Sequence, residues 1–186
     1  MQIDVQDFLA FAEQSGELVC FDLEMTGLGG NYNSVLCGSL KPYKQKPYTF
    51  LIKRPGADKE VCKQISEELN QYKVHVSFNG KGFDVKFLNT RLIYWELPVL
   101  ERRHHLDVLL VARQKVRMRG KSQAALLSWL ETTEEKMSVP PGYWNAVLAN
   151  PKKYLPIMRK RCESDTIGLE ALYERFKHLV SNISKV

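Results

Sequence analysis

From residue 18 to 25 the chain reads Leu-Val-Cys-Phe-Asp-Leu-Glu-Met, an apolar run broken only by two acids. Such a run suggests a strand buried on both faces, as at the centre of an α/β sheet. Ahead of it, residues 5–12 have amphipathic helical spacing, ended by Gly16. Behind it, Gly27, Gly29 and Gly30 mark turns, and two runs, 34–43 and 46–53, read as further strands. Helical spacing then returns in 59–72, with Val61, Ile65 and Leu69 on one stripe and Asp58 placed to cap it. Residues 73–79 form the next predicted strand. A turn through Asn79-Gly80-Lys81-Gly82 opens a helix over 83–95 that carries Phe83, Phe87 and Leu88 inward. Residues 104–108 make a fifth strand. Helices are predicted at 109–116, 123–131, 143–149 and 154–180, with breaks at Pro140-Pro141 and Pro151. Three strands followed by α-β-α-β-α is an α/β pattern with a mixed sheet. No repeat or linker interrupts it, so residues 1–186 are expected to form a single domain.

Composition narrows this little. Apolar residues make up 44% and charged residues 26% of the chain, an ordinary globular balance. No run is long enough for a membrane helix, and the acidic N-terminus does not read as a secretory signal. A cytoplasmic protein without membrane contact is expected. Cys20, Cys37, Cys62 and Cys162 lack zinc-finger spacing and are expected to be reduced. The net charge of +6 and the pI near 9.1 favour a polyanionic partner. Basic residues cluster at Arg102-Arg103, between Arg113 and Lys121, and at Arg159-Lys160-Arg161.

The acids carry more. Asp22 and Glu24 are two apart on a strand and so share a face. Two carboxylates side by side in an apolar strand repel each other and resist desolvation, and a divalent cation relieves both costs. A strand end open to water would do so too. Asp84 opens a helix just past a strand, where α/β sheets gather their sites, although the helix dipole alone favours an acid there. Asp165 lies inside the last helix on one stripe with Leu169, Leu172, Phe176 and Leu179. An acid on an apolar stripe is locally disfavoured and points to a functional site, or to a buried ion pair with Arg161 one turn earlier.

Together these segments resemble the DEDD superfamily of 3′–5′ exonucleases, which have a ribonuclease-H-like fold. Phe21-Asp22-Leu23-Glu24-Met25-Thr26-Gly27-Leu28 matches the Asp-x-Glu strand and looks especially like oligoribonuclease. Ser77-Phe78-Asn79-Gly80-Lys81-Gly82-Phe83-Asp84 is similar to the second motif of the proofreading domains of family B DNA polymerases and their stand-alone relatives. Cys162-Glu163-Ser164-Asp165 resembles the last motif, and His105-Leu106-Asp107-Val108 a strand between the two. The resemblance spans about residues 18–180. It implies a five-stranded sheet in the order 3-2-1-4-5, strand 2 antiparallel, flanked by helices. It also implies nucleic acid beside Thr26, Gly27, Leu28, Asn79 and Phe83.

The expected activity is two-metal phosphodiester hydrolysis on single-stranded DNA or RNA entering 3′ end first. Asp22, Glu24 and Asp165 would hold one Mg²⁺ or Mn²⁺. Asp22, with Asp84 through water, would hold a second, since hard cations prefer such oxygen ligands. Phe83 or Tyr32 would stack on a terminal base, unless Phe83 packs in the core and Tyr32 in a solvated loop. The Arg113–Lys121 cluster would track the backbone or form a solvated face. Asp107 would support the site as an outer acceptor or cap the next helix.

One departure stands out. Relatives place Tyr four residues, or His five residues, before the last acid; Arg161 and Lys160 stand there instead. A guanidinium is no base, but it can clamp a phosphate. This departure keeps a second reading open, a weakened or inactive nucleic-acid-binding module. An RNA-specific exonuclease is a substrate variant of the first reading. A methyltransferase on a doubly wound sheet ranks low, because Glu24-Met25-Thr26 occupies the place of its glycine-rich turn.

Overall fold

The structure, a computed structural model, describes residues 4–134 and 136–186. Helix α1 (Val5–Gln14) precedes strands β1 (Leu18–Met25), β2 (Val35–Pro42) and β3 (Tyr48–Leu51). Helix α2 (Lys59–Leu69), strand β4 (Val74–Ser77), helix α3 (Asp84–Tyr94) and strand β5 (His104–Asp107) follow. Helices α4 (Val108–Lys115), α5 (Gln123–Trp129), α6 (Tyr143–Ala149) and α7 (Pro151–Phe176) close the chain, with a 3-10 turn at Lys177–Leu179. The five strands are ordered β3-β2-β1-β4-β5. β2 runs antiparallel to β1 and β3, whereas β1, β4 and β5 are parallel. This is the predicted ribonuclease-H-like sheet.

The period of two in β1 sorts its side chains into two cores. Leu18 and Cys20 join Leu169, Leu172, Tyr173 and Phe176 of α7. Val19, Phe21, Leu23 and Met25 join Ile65 and Leu69 of α2 and Leu88 and Leu92 of α3. Asp22 and Glu24 have the parity of Leu18 and Cys20, so they face α7. All four cysteines are free and buried. Among the described residues, no helix is long and apolar enough to cross a membrane.

α7 is tied at its far end to α1: Tyr173 Oη and Lys177 Nζ both donate to Glu13 Oε1, at 2.6 and 2.9 Å. It starts earlier than its spacing predicts. Pro151 is not a break but the first helical residue, where its missing N–H costs nothing, and Asn150 caps it by accepting from the Lys153 amide at 3.2 Å. The helix ends at Phe176, and the tighter 3-10 turn beyond it rotates Leu179 off the stripe, leaving it 42% exposed. α2 likewise stops at Leu69, short of the expected 72, and α5 at Trp129, short of 131.

Asp58 stands at the N-cap position of α2 but makes no side-chain cap. It is fully buried, and its oxygens accept from the Val35 amide at 2.9 Å and from Arg91 Nε, Arg91 Nη2 and Trp95 Nε1 at 2.8 Å each. Burial pushes this carboxyl up, but those donors prevail and hold it below the usual carboxylate range. Arg91 also donates to the Gly30 carbonyl at 3.0 Å, fixing the loop that follows β1.

Candidate active site

β4 pairs with β1 only as far as Cys20, opposite Val76. Beyond that point the backbone of β1 lacks a strand partner on this side, and Asp84 Oδ1 accepts the Leu23 amide at 3.2 Å instead. Asp84 reaches this place through the loop between β4 and α3. Asn79 adopts a left-handed φ of 67° there. Gly80 packs so tightly on Ser77 that a Cβ would run into the serine Oγ and Cβ. Gly80→Ala is therefore expected to destabilise the protein by about 1–3 kcal/mol, read as a lower urea midpoint with an unchanged slope.

Asp107 fastens the same loop from below. It caps α4 through the Leu109 amide at 3.1 Å and accepts the Asn79 and Lys81 amides at 2.9 and 3.1 Å. Of its two expected roles, the cap is made. The support is given to the loop, not to a carboxylate of the cluster.

The structure brings Asp22, Glu24 and Asp165 together: each offers a carboxylate oxygen within 4.8 Å of the others. Asp165 is 2% exposed, and its Oδ1 is buried without a hydrogen-bond partner among the described residues. Its Oδ2 meets Lys136 Nζ at 2.9 Å and Arg161 Nη2 at 3.6 Å. Gln123 Nε2 donates to the Asp165 carbonyl at 2.6 Å, and Gln123 Oε1 accepts from Lys136 at 3.3 Å. Arg161 does face the cluster, but its nearest carboxylate is Glu24, whose Oε1 it reaches at 2.7 Å. Trp144 Nε1 donates to Glu24 Oε2 at 2.6 Å, and the Arg161 guanidinium lies 5.1 Å from the centre of the Trp144 ring. Arg161 Nη1 also donates to the Met137 carbonyl at 2.6 Å. Cys162 points its thiol at the Asp22 carbonyl, 3.2 Å away. Lys160, one residue before Arg161, is exposed.

Crowding shows in the protonation of the acids. Burial first, then the charges of Asp165, Asp84 and Glu24, holds Asp22 well above the ordinary carboxyl range. Burial also raises Glu24, against the opposing pull of Arg161 and Trp144. Burial raises Asp84 to about 7, with the Leu23 amide working against it and the charges of Asp107 and Glu24 adding to it. A carboxyl raised in the fold binds a proton there that the unfolded chain releases. Its stabilising effect is therefore fully present below the unfolded value near 4 and is lost as pH rises from there through about 7. Buried His75, pushed down to about 4, works in the opposite direction between its unfolded value and that point. A difference measurement separates the two. With chelator present, Asp84→Asn is expected to raise Tm by a few degrees at pH 8, on the order of 1–3 kcal/mol, and by clearly less at pH 5. An equal shift at both pH values would contradict the assignment.

Beside Glu24 opens a cleft of about 310 Å³ lined by Thr26, Gly27, Leu28, Phe83, Pro141, Trp144 and Asn145. Four of the five residues expected against nucleic acid thus line one surface. Asn79 does not; it is exposed on its loop. Phe83 is half-buried and does both things expected of it, lining the cleft and packing against the core. Leu28 and Tyr32 project from the loop after β1, 86% and 90% exposed. Sequence reasoning missed Gln123, Lys136 and Trp144. All three lie between residues 116 and 150, where periodicity is weak. Only Lys136 carried a signal, a lone cation directly after the acidic stretch Glu131 to Glu135.

A family model of the RNase H superfamily matches residues 19–177. The chain belongs to the RNase H superfamily. No curated protein matches it. Among solved structures it is similar to the family B DNA polymerase from the hyperthermophilic archaeon Pyrobaculum calidifontis. That match has a TM-score of 0.67 at 18% identity and covers 84% of this chain and 24% of the polymerase. The chain thus spans about a quarter of the length of that polymerase. This RNase H-like membership supports a nuclease acting on nucleic acid. Nucleases of this kind use divalent metals, and the acidic cluster of Asp22, Glu24 and Asp165 is present.

Proposed function

We propose that this member of the RNase H superfamily is a divalent-cation-dependent 3′–5′ exonuclease acting on single-stranded nucleic acid. The observation that carries the reading is the buried, unpartnered Asp165 Oδ1 inside a group of three carboxylates at the end of β1. An orphaned buried acceptor costs about 1–3 kcal/mol, and a cation beside it removes that cost. The donor set is all oxygen, which suits Mg²⁺ or Mn²⁺.

Asp22, Glu24 and Asp165 would hold the cation, and Asp84, one step outside them, would add charge from across β1. When bound, the cation supplies Lewis acidity that eases both formation of the attacking hydroxide and departure of the 3′ oxygen. The chain supplies the rest. The cleft seats the terminal nucleotide, with Phe83 and Leu28 offering apolar surface to a base and the Thr26-Gly27 backbone approaching closely. Lys136 and Arg161 set positive charge where a phosphodiester must lie. The exposed Arg113, Lys115, Arg117 and Arg119, none in an ion pair among the described residues, track the departing strand.

The test is cleavage of matched 5′-labelled DNA and RNA single strands with Mg²⁺, Mn²⁺ or chelator. Stepwise shortening from the 3′ end that needs metal is expected. Internal cuts would overturn the exonuclease assignment. Arg161 in the place of the usual Tyr favours a second reading, a binding module without turnover, and tight binding with no cleavage under either metal would establish it.

A further inference from the structure

The acids lie towards the carboxyl end of β1, and the opposite ends of the parallel strands carry a different kind of site. A cavity of about 250 Å³ opens there, lined by Phe8, Lys73, Arg102, Arg103, His104 and Lys185. Lys73 immediately precedes β4, and His104 opens β5. Cys20 pairs with Val76 and Asp22 lies beyond it, so the acids stand roughly 16 Å from Lys73 along the strands, at about 3.3 Å per residue. Backbone hydrogen bonds hold the walls together. The His104 amide donates to the Lys73 carbonyl at 3.2 Å. The segment 184–186 runs antiparallel along β5, with the Arg103 amide donating to the Val186 carbonyl at 3.2 Å and the Val186 amide to the Arg103 carbonyl at 3.0 Å. Lys185 is thereby set beside His104. Phe8 of α1 completes the lining, its ring 4.6 Å from that of His104 between centroids.

Charge decides what this cavity suits. Lys73 meets Glu17 at 2.6 Å, and Arg103 meets Glu101 at 2.7 Å. Arg102 and Lys185, both exposed, form no ion pair among the described residues. Arg103 Nη2 also donates to the Asn70 carbonyl at 2.9 Å, but Arg103 Nε is buried with no acceptor among the described residues. An orphaned donor on a charged group is costly, and an anion in the cavity removes that cost as well as the repulsion among the cations. A guanidinium fork matches the oxygens of a phosphate, and a ring beside such cations offers a surface to a base. We infer that this cavity is a second phosphate-binding site, remote from the acidic cluster, which takes a nucleotide: Arg102, Arg103 and Lys185 hold the phosphate and Phe8 meets the base. The nucleotide is either free or the phosphorylated end of a strand, and the chemistry of recognition is the same. The site stands independently of the nuclease reading.

The experiment follows the backbone amides of the full chain by nuclear magnetic resonance, in chelator. The probes are inorganic phosphate, adenosine 5′-monophosphate and a 5′-phosphorylated tetranucleotide. The amides of Lys73, Arg102, Arg103, His104 and Lys185 are expected to shift and saturate, with the monophosphate binding about tenfold more tightly than inorganic phosphate. Arg102→Ala combined with Lys185→Ala should weaken the monophosphate about tenfold and leave Tm unchanged, because both side chains are exposed and unpaired among the described residues. Phe8→Leu keeps apolar packing and should bring the monophosphate down to the affinity of inorganic phosphate, with Tm confirming the fold. Saturation of the same amides by the tetranucleotide would assign a strand end, and saturation by the monophosphate alone a free nucleotide; either supports the site. Shifts confined to the cleft around Thr26 and Phe83, or native affinity in the double variant, would overturn it. Equal affinities of the native protein for the monophosphate and inorganic phosphate would overturn the nucleotide assignment. None of these results bears on metal-dependent cleavage, which is measured separately.

Discussion

Asp22→Ala is expected to lower metal-dependent cleavage roughly a thousandfold, about 4 kcal/mol of barrier, while making the metal-free protein more stable. The two effects have one cause. Asp22 lies among three other acids, and burial together with their charges resists its ionisation. Without a cation its carboxylate only adds repulsion; with one it is a ligand. Removing it therefore relaxes the empty site and disables the loaded one. The check pairs single-turnover cleavage with thermal unfolding in chelator and in Mn²⁺. Native protein should gain several degrees on adding Mn²⁺, and the variant should gain little. A variant that cleaves at the native rate, or that still gains the full Mn²⁺ increment, contradicts the placement of Asp22 at the centre of the site.

Asp58→Ala is expected to be the most damaging change outside the cluster. It would leave the Arg91 guanidinium buried with its carbonyl contact to Gly30 as the sole remaining polar partner among the described residues, and would strand the Val35 amide and the Trp95 indole. Breaking a buried pair from one side typically costs about 3–5 kcal/mol, which for a chain of this size lowers Tm by roughly 10 °C. Because Arg91 fixes the loop after β1, the cleft should loosen as well, and affinity for a short oligonucleotide should fall even at temperatures where the protein stays folded. A paired change, Asp58→Leu with Arg91→Met, should recover much of the loss, since apolar packing can replace a buried ion pair. Equal damage from the single and double variants would show that the pair is not what holds the loop.

These residues also show what could be read from the chain alone. Asp22 and Glu24 were legible because a strand has a period of two and any acid on a buried run stands out against it. Asp165 was legible in the same way on a period of 3.6, and the sheet order followed from the resemblance those acids carry. Asp58 was misread as a cap because the local signal was sound; Arg91, its actual partner, lies 33 positions away. Leu179 was misread because helical phase was extended past Phe176, where the turn tightens. Lys136 lies between predicted elements, and Trp144, although on a predicted helix, reaches Glu24 only through the packing of α6 against α7. Local rules located the acids and Arg161; Lys136 and Trp144 came from tertiary structure.

The attachment of α7 to α1 has a consequence for how the protein tolerates change. Asp165 and Tyr173 are eight residues apart on one continuous rod, roughly 12 Å along its axis. The bond of Tyr173 to Glu13 is therefore expected to help hold the height at which Asp165 meets the sheet, beside the packing of α7 on β1 and β2. Glu13→Gln, or trimming of the first helix, would shift that height without touching a single group in the pocket. Damage to catalysis would then arise at the opposite end of the molecule and show itself as weaker cation affinity, not as a lost ligand.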